Sequence, residues 1–321
     1  MATRFAEMYA ARVAAGKRIC IGLDPDLTKI PSCVTGRDAA ARVYEFITNI
    51  VNATYPYAAA FKPQIAFFEE LGDDGHKTLR RVLEYARLVA PEVPIILDYK
   101  RGDIGNTNRG YVGSAFDYFG VEAVTVHPYL GMEAMKPFLE HRDKLIIVLC
   151  RTSNPGAGEF QDIQCSPLRE PGSNLLYSNK AEFERETGRK LSKLETVWMP
   201  MSLYQFVAHR VAQSWGDNCA VVVGATYPAE LKLVREIVDN TPILIPGLGS
   251  QGGKVEDVIP GALDEHGWGV ILNNASAINF AFARLKDGDG KPRYTPRQYP
   301  EAAEEAARTM NDAVGKALSA L

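Results

Sequence analysis

The chain lacks the features that would mark it for export, for a membrane or for a metal. Its five cysteines, Cys20, Cys33, Cys150, Cys165 and Cys219, are odd in number, scattered and without a CxxC spacing. That argues against a disulfide framework and against a structural zinc site. Cys20, Cys150 and Cys219 lie at apolar runs and read as buried thiols. The five histidines never fall at metal-ligand spacing, so no metal is expected. No apolar stretch approaches the ~20 residues of a membrane span. The opening MATRFAEMYAARVAAGKRICIGLD has no apolar core of the kind a signal peptide needs. With 36 basic and 39 acidic residues, a net charge of −3 and no Lys/Arg-dense run, there is no footprint for nucleic acid or an anionic membrane. These absences leave a reduced, cytoplasmic setting as the expectation, and they leave room for a local basic pocket that takes a phosphorylated small molecule.

What is present is an orderly alternation. Over 321 residues, short apolar runs recur at Ile19-Leu23, Tyr57-Phe61, Pro94-Leu97, Ala123-Val126, Leu145-Cys150, Ala220-Val223, Ile243-Ile245 and Trp268-Leu272. Their apolarity is continuous, which strands covered on both faces should show. Amphipathic segments lie between them, around Ala39-Asn52, His76-Val89, Gly131-Glu140 and Pro228-Asp239. Eight strand-helix units point to one α/β domain over residues 1–321, a single (β/α)8 TIM barrel. A doubly wound open sheet is the alternative, and no GxGxxG follows the first strand to favour a dinucleotide-binding version. Nearly 70 residues, about 151–218, separate the fifth and sixth runs and read as a long insertion. In it, Glu182-Trp215 reads as helical, whereas Thr152-Asn174 has a loop's composition and is able to close over a ligand. The Ala/Glu-rich segment Pro300-Leu321 reads as a helix on the outside of the barrel.

Barrels place chemistry at the C-terminal ends of their strands. Here those ends carry Asp24, Lys62, then Asp98 and Lys100 in ILDYKRGDIGNT, with Asp103 just beyond. Residues two apart on a strand share a face, so Asp98 and Lys100 point together and Tyr99 points toward the helices. Opposite charges so close hold each other ionised. Fixed carboxylates can stress a substrate carboxylate, and a neighbouring ammonium can steady a carbanion and protonate it. A salt-bridge network that only ties strands together is the other reading. After the seventh run, PGLGSQGG offers Gly247, Gly249 and Gly252, whose backbone can cradle a phosphate at the place where barrels usually bind one.

The pattern D-x-K-x-x-D-I at Asp98-Ile104 resembles the signature of the orotidine 5′-phosphate decarboxylase family. Asp24 in GLDPD, Lys62 in AFKPQ, Ser153 in TSNPG and PGLGSQGG follow in that family's order over most of the chain. The wording around Lys62 is similar to the longer bacterial branch. The resemblance implies decarboxylation of orotidine 5′-monophosphate to uridine 5′-monophosphate in pyrimidine biosynthesis, with no metal or organic cofactor. It implies that Lys62, Asp98, Lys100 and Asp103 form a charged array in which Lys100 protonates C6 and Asp98 presses on the departing carboxylate. Asp24 and Lys62 would hold ribose hydroxyls, Ser153 the pyrimidine amide, Pro246 the ring face, and Gln251 the phosphate. Asp103, Ile104 and Thr107 would reach a neighbouring subunit's site, making a homodimer. A sister group of magnesium-using sugar-phosphate enzymes shares a similar motif, and a non-catalytic nucleotide binder is the other alternative.

The eighth run departs from the pattern. The family ends this strand with an arginine that grips the phosphate, whereas the text here is LNNASAI, with Ser276 in the arginine's place. A serine cannot reproduce a bidentate guanidinium contact. Three readings stand open: charge supplied by Arg151, Arg109 or an insertion residue; phosphate held by the neutral donors Asn273, Asn274 and Ser276; or an altered member of low activity.

Overall fold

The computed structural model describes residues 3–170, 172–190, 197–248 and 253–321. Eight parallel strands form its centre: β1 (Ile19–Leu23), β2 (Ala58–Pro63), β3 (Ile96–Arg101), β4 (Ala123–Val126), β5 (Leu145–Arg151), β6 (Cys219–Val223), β7 (Ile243–Ile245) and β8 (Val270–Asn274). Pairing runs from β2 through β1, β8, β7, β6, β5 and β4 to β3. Parallel bridges Phe61–Ile95 and Gln64–Asp98 join the two ends, so the sheet curls into a barrel. The strands lie where continuous apolarity predicts them, because each is covered by side chains within the barrel and by helices outside it.

Two apolar layers follow from this closure. Inside, small and branched side chains such as Cys20, Ala59, Ala60, Ile96, Ala123, Ile147, Ala220 and Ile271 fill the lumen. Outside, the strands pack against helices that include α2 (Ala39–Thr54), α3 (Gly75–Val89) and α4 (Gly105–Val112). Helix α1 (Arg4–Ala14) joins the inner layer through Phe5 and Tyr9. The Tyr9 hydroxyl donates to Val270 O at 2.9 Å, and Arg12 donates to Ala58 O at 2.8 Å. Both acceptors lie at the N-terminal ends of strands, so α1 plugs that end and leaves the opposite end as the mouth. The C-terminal helix, Tyr299–Ser319, packs on α2, as expected of an outer helix.

Between β5 and β6 the chain is more irregular than its composition suggests. The helical reading of Glu182-Trp215 is met at both ends, by a helix at Lys180–Thr187 and by Leu203–Arg210 with its π-helical continuation Val211–Trp215, and is interrupted by short strands at Val197–Trp198 and Met201–Ser202. Gly188, at φ 69°, stops the first helix in the left-handed conformation that favours glycine. The expected loop over Thr152-Asn174 contains a 3₁₀ turn at Pro155–Ala157, a helical turn at Gly158–Gln161, and two-residue strands at Gln164–Cys165 and Leu168–Arg169. No helix among the described residues is long and apolar enough to cross a membrane.

Candidate active site

Adjacent strands β1, β2 and β3 bring Asp24, Lys62, Asp98 and Lys100 into one cavity of about 480 Å³ at the barrel mouth. Lys62 Nζ lies 2.8 Å from Asp98 Oδ2, and Lys100 Nζ lies 2.5 Å from Asp98 Oδ1. Asp98 and Lys62 are buried, whereas the Lys100 side chain is 45% exposed. Burial disfavours the Asp98 anion, but the two ammonium groups outweigh it and hold the carboxyl well below the usual range. Burial likewise disfavours charge on Lys62, and Asp98 with Asp24 reverses that and holds the ammonium above the usual lysine range. Asp24 goes the other way. Its burial dominates and raises its pKa, although Lys62 opposes the shift. The expectation that opposite charges hold one another ionised is met at Asp98 and Lys62, while burial pulls the neighbouring Asp24 the other way. Asp24 Oδ1 is a buried acceptor without a partner among the described residues.

Asp98 and Lys100 meet by a route that strand alternation does not describe. The β3–β4 register shifts between Leu97, opposite Val124, and Arg101, opposite Val126, so β3 bulges across the motif. Lys100 sits at φ 47°. Thr125 on β4 fills the gap: its hydroxyl accepts from Tyr99 N at 2.9 Å and from Lys100 N at 3.0 Å. The same hydroxyl donates to Asp98 Oδ1 at 2.9 Å. Tyr99 points outward, meeting Tyr111 edge-on. Thr125 was not legible as a site residue, because its role depends on the bulge opposite it. Thr125→Val is expected to cost about 1–3 kcal/mol in denaturant unfolding by stranding the buried Tyr99 N–H and the part-buried Lys100 N–H, and Thr125→Ser to cost little. A loss in Thr125→Ser with none in Thr125→Val would show that the methyl, not the hydroxyl, matters.

The far wall of the cavity carries Ser153, Pro246, Gly247, Asn273, Asn274 and Ser276. Gly224 lets Ser153 approach: a Cβ there would lie 2.8 Å from Ser153 Cα. Gln161, from the segment after β5, accepts from Thr152 N and donates to the Thr152 hydroxyl, both at 2.9 Å. It also lines the cavity. Beyond Leu149 and Gln161 lies a second, largely apolar cavity of about 520 Å³, lined by Met132, Phe160, Tyr204 and Trp215. His127 is hydrogen-bonded to Gly102 O at 2.9 Å and serves the β3 turn.

Residues 17–271 match the model of the Orotidine 5′-phosphate decarboxylase / HUMPS family. The chain belongs to this family. Among similar proteins, an orotidine 5′-phosphate decarboxylase of Janthinobacterium sp. (strain Marseille) is 38% identical over 301 residues, 93% of each chain. One of Herpetosiphon aurantiacus is 37% identical over 274 residues, 85% of this chain and 87% of that one. The solved Leishmania donovani OMP decarboxylase is 28% identical with a TM-score of 0.68, covering 96% of this chain and 98% of that one.

Not every residue that the family resemblance nominates is in the cavity. Asp103, Ile104 and Thr107 lie on the turn after β3 and at the start of α4, and they do not line it. Asp103 Oδ1 accepts from Ile104 N at 2.7 Å, and Ile104 is 61% exposed. Gly249, Gln251 and Gly252 lie outside the described residues. No group of three or more His, Cys, Asp or Glu side chains suited to a metal occurs among the described residues.

Proposed function

We propose that this chain decarboxylates orotidine 5′-monophosphate to uridine 5′-monophosphate, a step of pyrimidine nucleotide synthesis in the cytoplasm. The observation that carries the reading is Asp98, ionised and clamped by Lys62, Lys100 and Thr125 inside a cavity that runs on to Ser276. A carboxylate fixed beside the substrate's own carboxylate raises the ground state relative to a transition state in which that charge departs. The C6–carboxylate bond breaks, carbon dioxide leaves, and the electron pair remains on C6. The Lys100 ammonium steadies that pair and donates its proton to C6; being half exposed, it recovers a proton from solvent. No step in this reading uses a metal or an organic cofactor.

The remaining roles are those that the family resemblance implies. Asp24 and Lys62 take the ribose hydroxyls, and the unpartnered Asp24 Oδ1 supports this as an acceptor awaiting a donor. Ser153 reads the pyrimidine amide and Pro246 lies against the ring; Gly247 and Ser276 face the phosphate, and Gly249, Gln251 and Gly252 are assigned to it by the family resemblance alone. Asp103, Ile104 and Thr107 belong to the site of a second copy of the chain. Their position outside their own cavity, with Ile104 exposed beside Leu130, supports a homodimer with shared sites. The whole chain is one barrel unit in this reading, and residues 151–218 are an insertion in it.

The test is loss of pyrimidine absorbance from orotidine 5′-monophosphate with a chelator present, with sedimentation of the same sample reporting the dimer. No turnover at high enzyme concentration would sink the reading. Activity that disappears with chelator would assign the chain to magnesium-using chemistry, and tight uridine monophosphate binding without turnover to a nucleotide binder.

Asp24 carries a further expected result. Its folded pKa is raised, so between its unfolded and folded pKa values the folded state binds more protons, and stability falls as pH rises through that window. At neutral pH the anion therefore costs stability. Asp24→Asn is expected to raise the melting temperature at neutral pH, to leave it nearly unchanged in acid, and to raise KM. A lower melting temperature at neutral pH would show that attraction to Lys62 outweighs burial.

A further inference from the structure

We infer that Arg284 supplies the guanidinium that holds the substrate's phosphate. This rests on the nucleotide-monophosphate reading above and concerns the end of the cavity away from Lys100. The cavity is charged unevenly. Asp24, Lys62, Asp98 and Lys100 make one wall and answer one another's charge, whereas the β8 wall offers only the neutral Asn273, Asn274 and Ser276. A phosphate dianion taken from water onto neutral donors alone is poorly compensated.

Arg284 corrects that imbalance from a different part of the chain. It follows Ser276 by eight residues. The helical turn Ser276–Asn279 and the 3₁₀ turn Ala281–Ala283 fold the chain back on itself between them. Arg284 Nη2 thereby reaches Ser276 Oγ at 3.2 Å. That is its sole side-chain hydrogen bond among the described residues, and it forms no ion pair there, so most of the guanidinium fork is uncommitted. The serine that receives it is fixed in place. Gly22 lets Ala275 pack directly on β1, since a Cβ at Gly22 would lie 2.3 Å from Ala275 Cβ. Asn279 ties the same turn to β1, donating to Gly22 O at 2.8 Å and accepting from Asp24 N at 3.0 Å. Ser276 Oγ can accept from Arg284 while its own proton goes to a phosphate oxygen, and its small side chain leaves room for a guanidinium arriving from outside.

The arginines that the sequence brings forward are engaged elsewhere. Arg151 is buried, paired with Asp162 at 3.2 Å, bonded to Gln161 at 3.3 Å and stacked over Tyr227. Arg109 lies on α4, bonded to Asn106, beside a different surface cavity with Ile104 and Glu133.

The test compares uridine monophosphate with uridine by calorimetry on the intact protein. In the parent chain, the monophosphate is expected to bind much more tightly than the nucleoside. In Arg284→Ala, its affinity is expected to fall about 10- to 100-fold, the loss of one or two charge-assisted hydrogen bonds, with uridine unchanged. Arg284→Lys is expected to recover part of the loss, as charge is restored without the fork. Arg284 is exposed, so the melting temperature is expected to stay constant. A parent chain that does not distinguish the two ligands overturns the nucleotide reading and the assignment together. A parent that does distinguish them, with Arg284→Ala retaining the difference, overturns the assignment alone. Equal weakening of both ligands also overturns it.

Discussion

Replacing Lys100 with alanine is expected to lower turnover about 10⁴-fold, the upper end of what a positioned general acid contributes. Uridine monophosphate should still bind within a few-fold. The large effect follows from geometry: the Lys100 ammonium is 2.5 Å from Asp98 Oδ1 and half exposed, so it meets both the carboxylate proposed to press on the substrate and the solvent proposed to resupply its proton. The small effect on folding follows from the same exposure. The side chain fills no cavity, and Asp98 keeps Lys62 and Thr125 as partners. Single-turnover absorbance with parallel melting curves checks both parts. A near-normal rate would refute the proton-donor role, and a collapse in melting temperature would mean that lost activity reports unfolding.

Asp98→Asn is expected to remove turnover and also to destabilise the fold by about 3–5 kcal/mol, the range for breaking a buried ion pair from one side. That is a large share of the ~5–15 kcal/mol that holds a typical domain together. The Asp98 and Lys62 side chains are 10% and 5% exposed, so solvent screens them little. Without Asp98 the Lys62 ammonium is left with Asp24, whose own charge is disfavoured by burial. The pH dependence has a definite sign. Asp98 has a depressed folded pKa, so its stabilisation is present above its unfolded pKa and is lost as pH falls through that value toward the folded one. Lys62 has a raised folded pKa, so its contribution is present below the unfolded lysine pKa and is lost as pH rises past it toward the folded value. Urea unfolding at several pH values should show Asp98→Asn losing the acid-side slope. The double variant Lys62→Met with Asp98→Leu should recover much of the stability and none of the turnover. A loss under about 1 kcal/mol in Asp98→Asn would show that the pair is solvated and that its role is chemical only.

The sequence reveals the barrel well because its strands are buried on both faces, and continuous runs such as Ala123-Val126 and Ile243-Ile245 mark their positions without help from distant residues. Asp24, Lys62, Asp98, Lys100 and Gly247 are readable as strand-end residues, Ser153, Pro246 and Ser276 come from the family resemblance, and the cavity brings all of them together. Features set by tertiary register were not readable. Alternation predicts that Asp98 and Lys100 share a face; they meet instead through a bulge, which Thr125 satisfies from the neighbouring strand. Arg284 is hidden for the same kind of reason, since two short turns determine where it arrives. The segment after β5 misled because charged, helix-favouring residues over Glu182-Trp215 give no sign of the short strands at Val197–Trp198 and Met201–Ser202. The Asp24 charge shows a limit of a different kind, because proximity to Lys62 is legible in outline and the depth of burial that overrides it is not.

Lys100 occupies a backbone conformation, φ 47°, that costs a side-chain-bearing residue of order 1 kcal/mol or more and costs glycine almost nothing. Selection on the fold and selection on the reaction therefore pull in opposite directions at this position. In a lineage that no longer needs the chemistry, drift at residue 100 runs downhill toward glycine or asparagine. Drift at Lys62 or Asp98 runs uphill, because each leaves the other buried without its partner. Gene decay would thus erase the proposed proton donor first and the ion pair beneath it last, so a silent descendant should be recognisable by an intact Lys62 and Asp98 around a missing lysine.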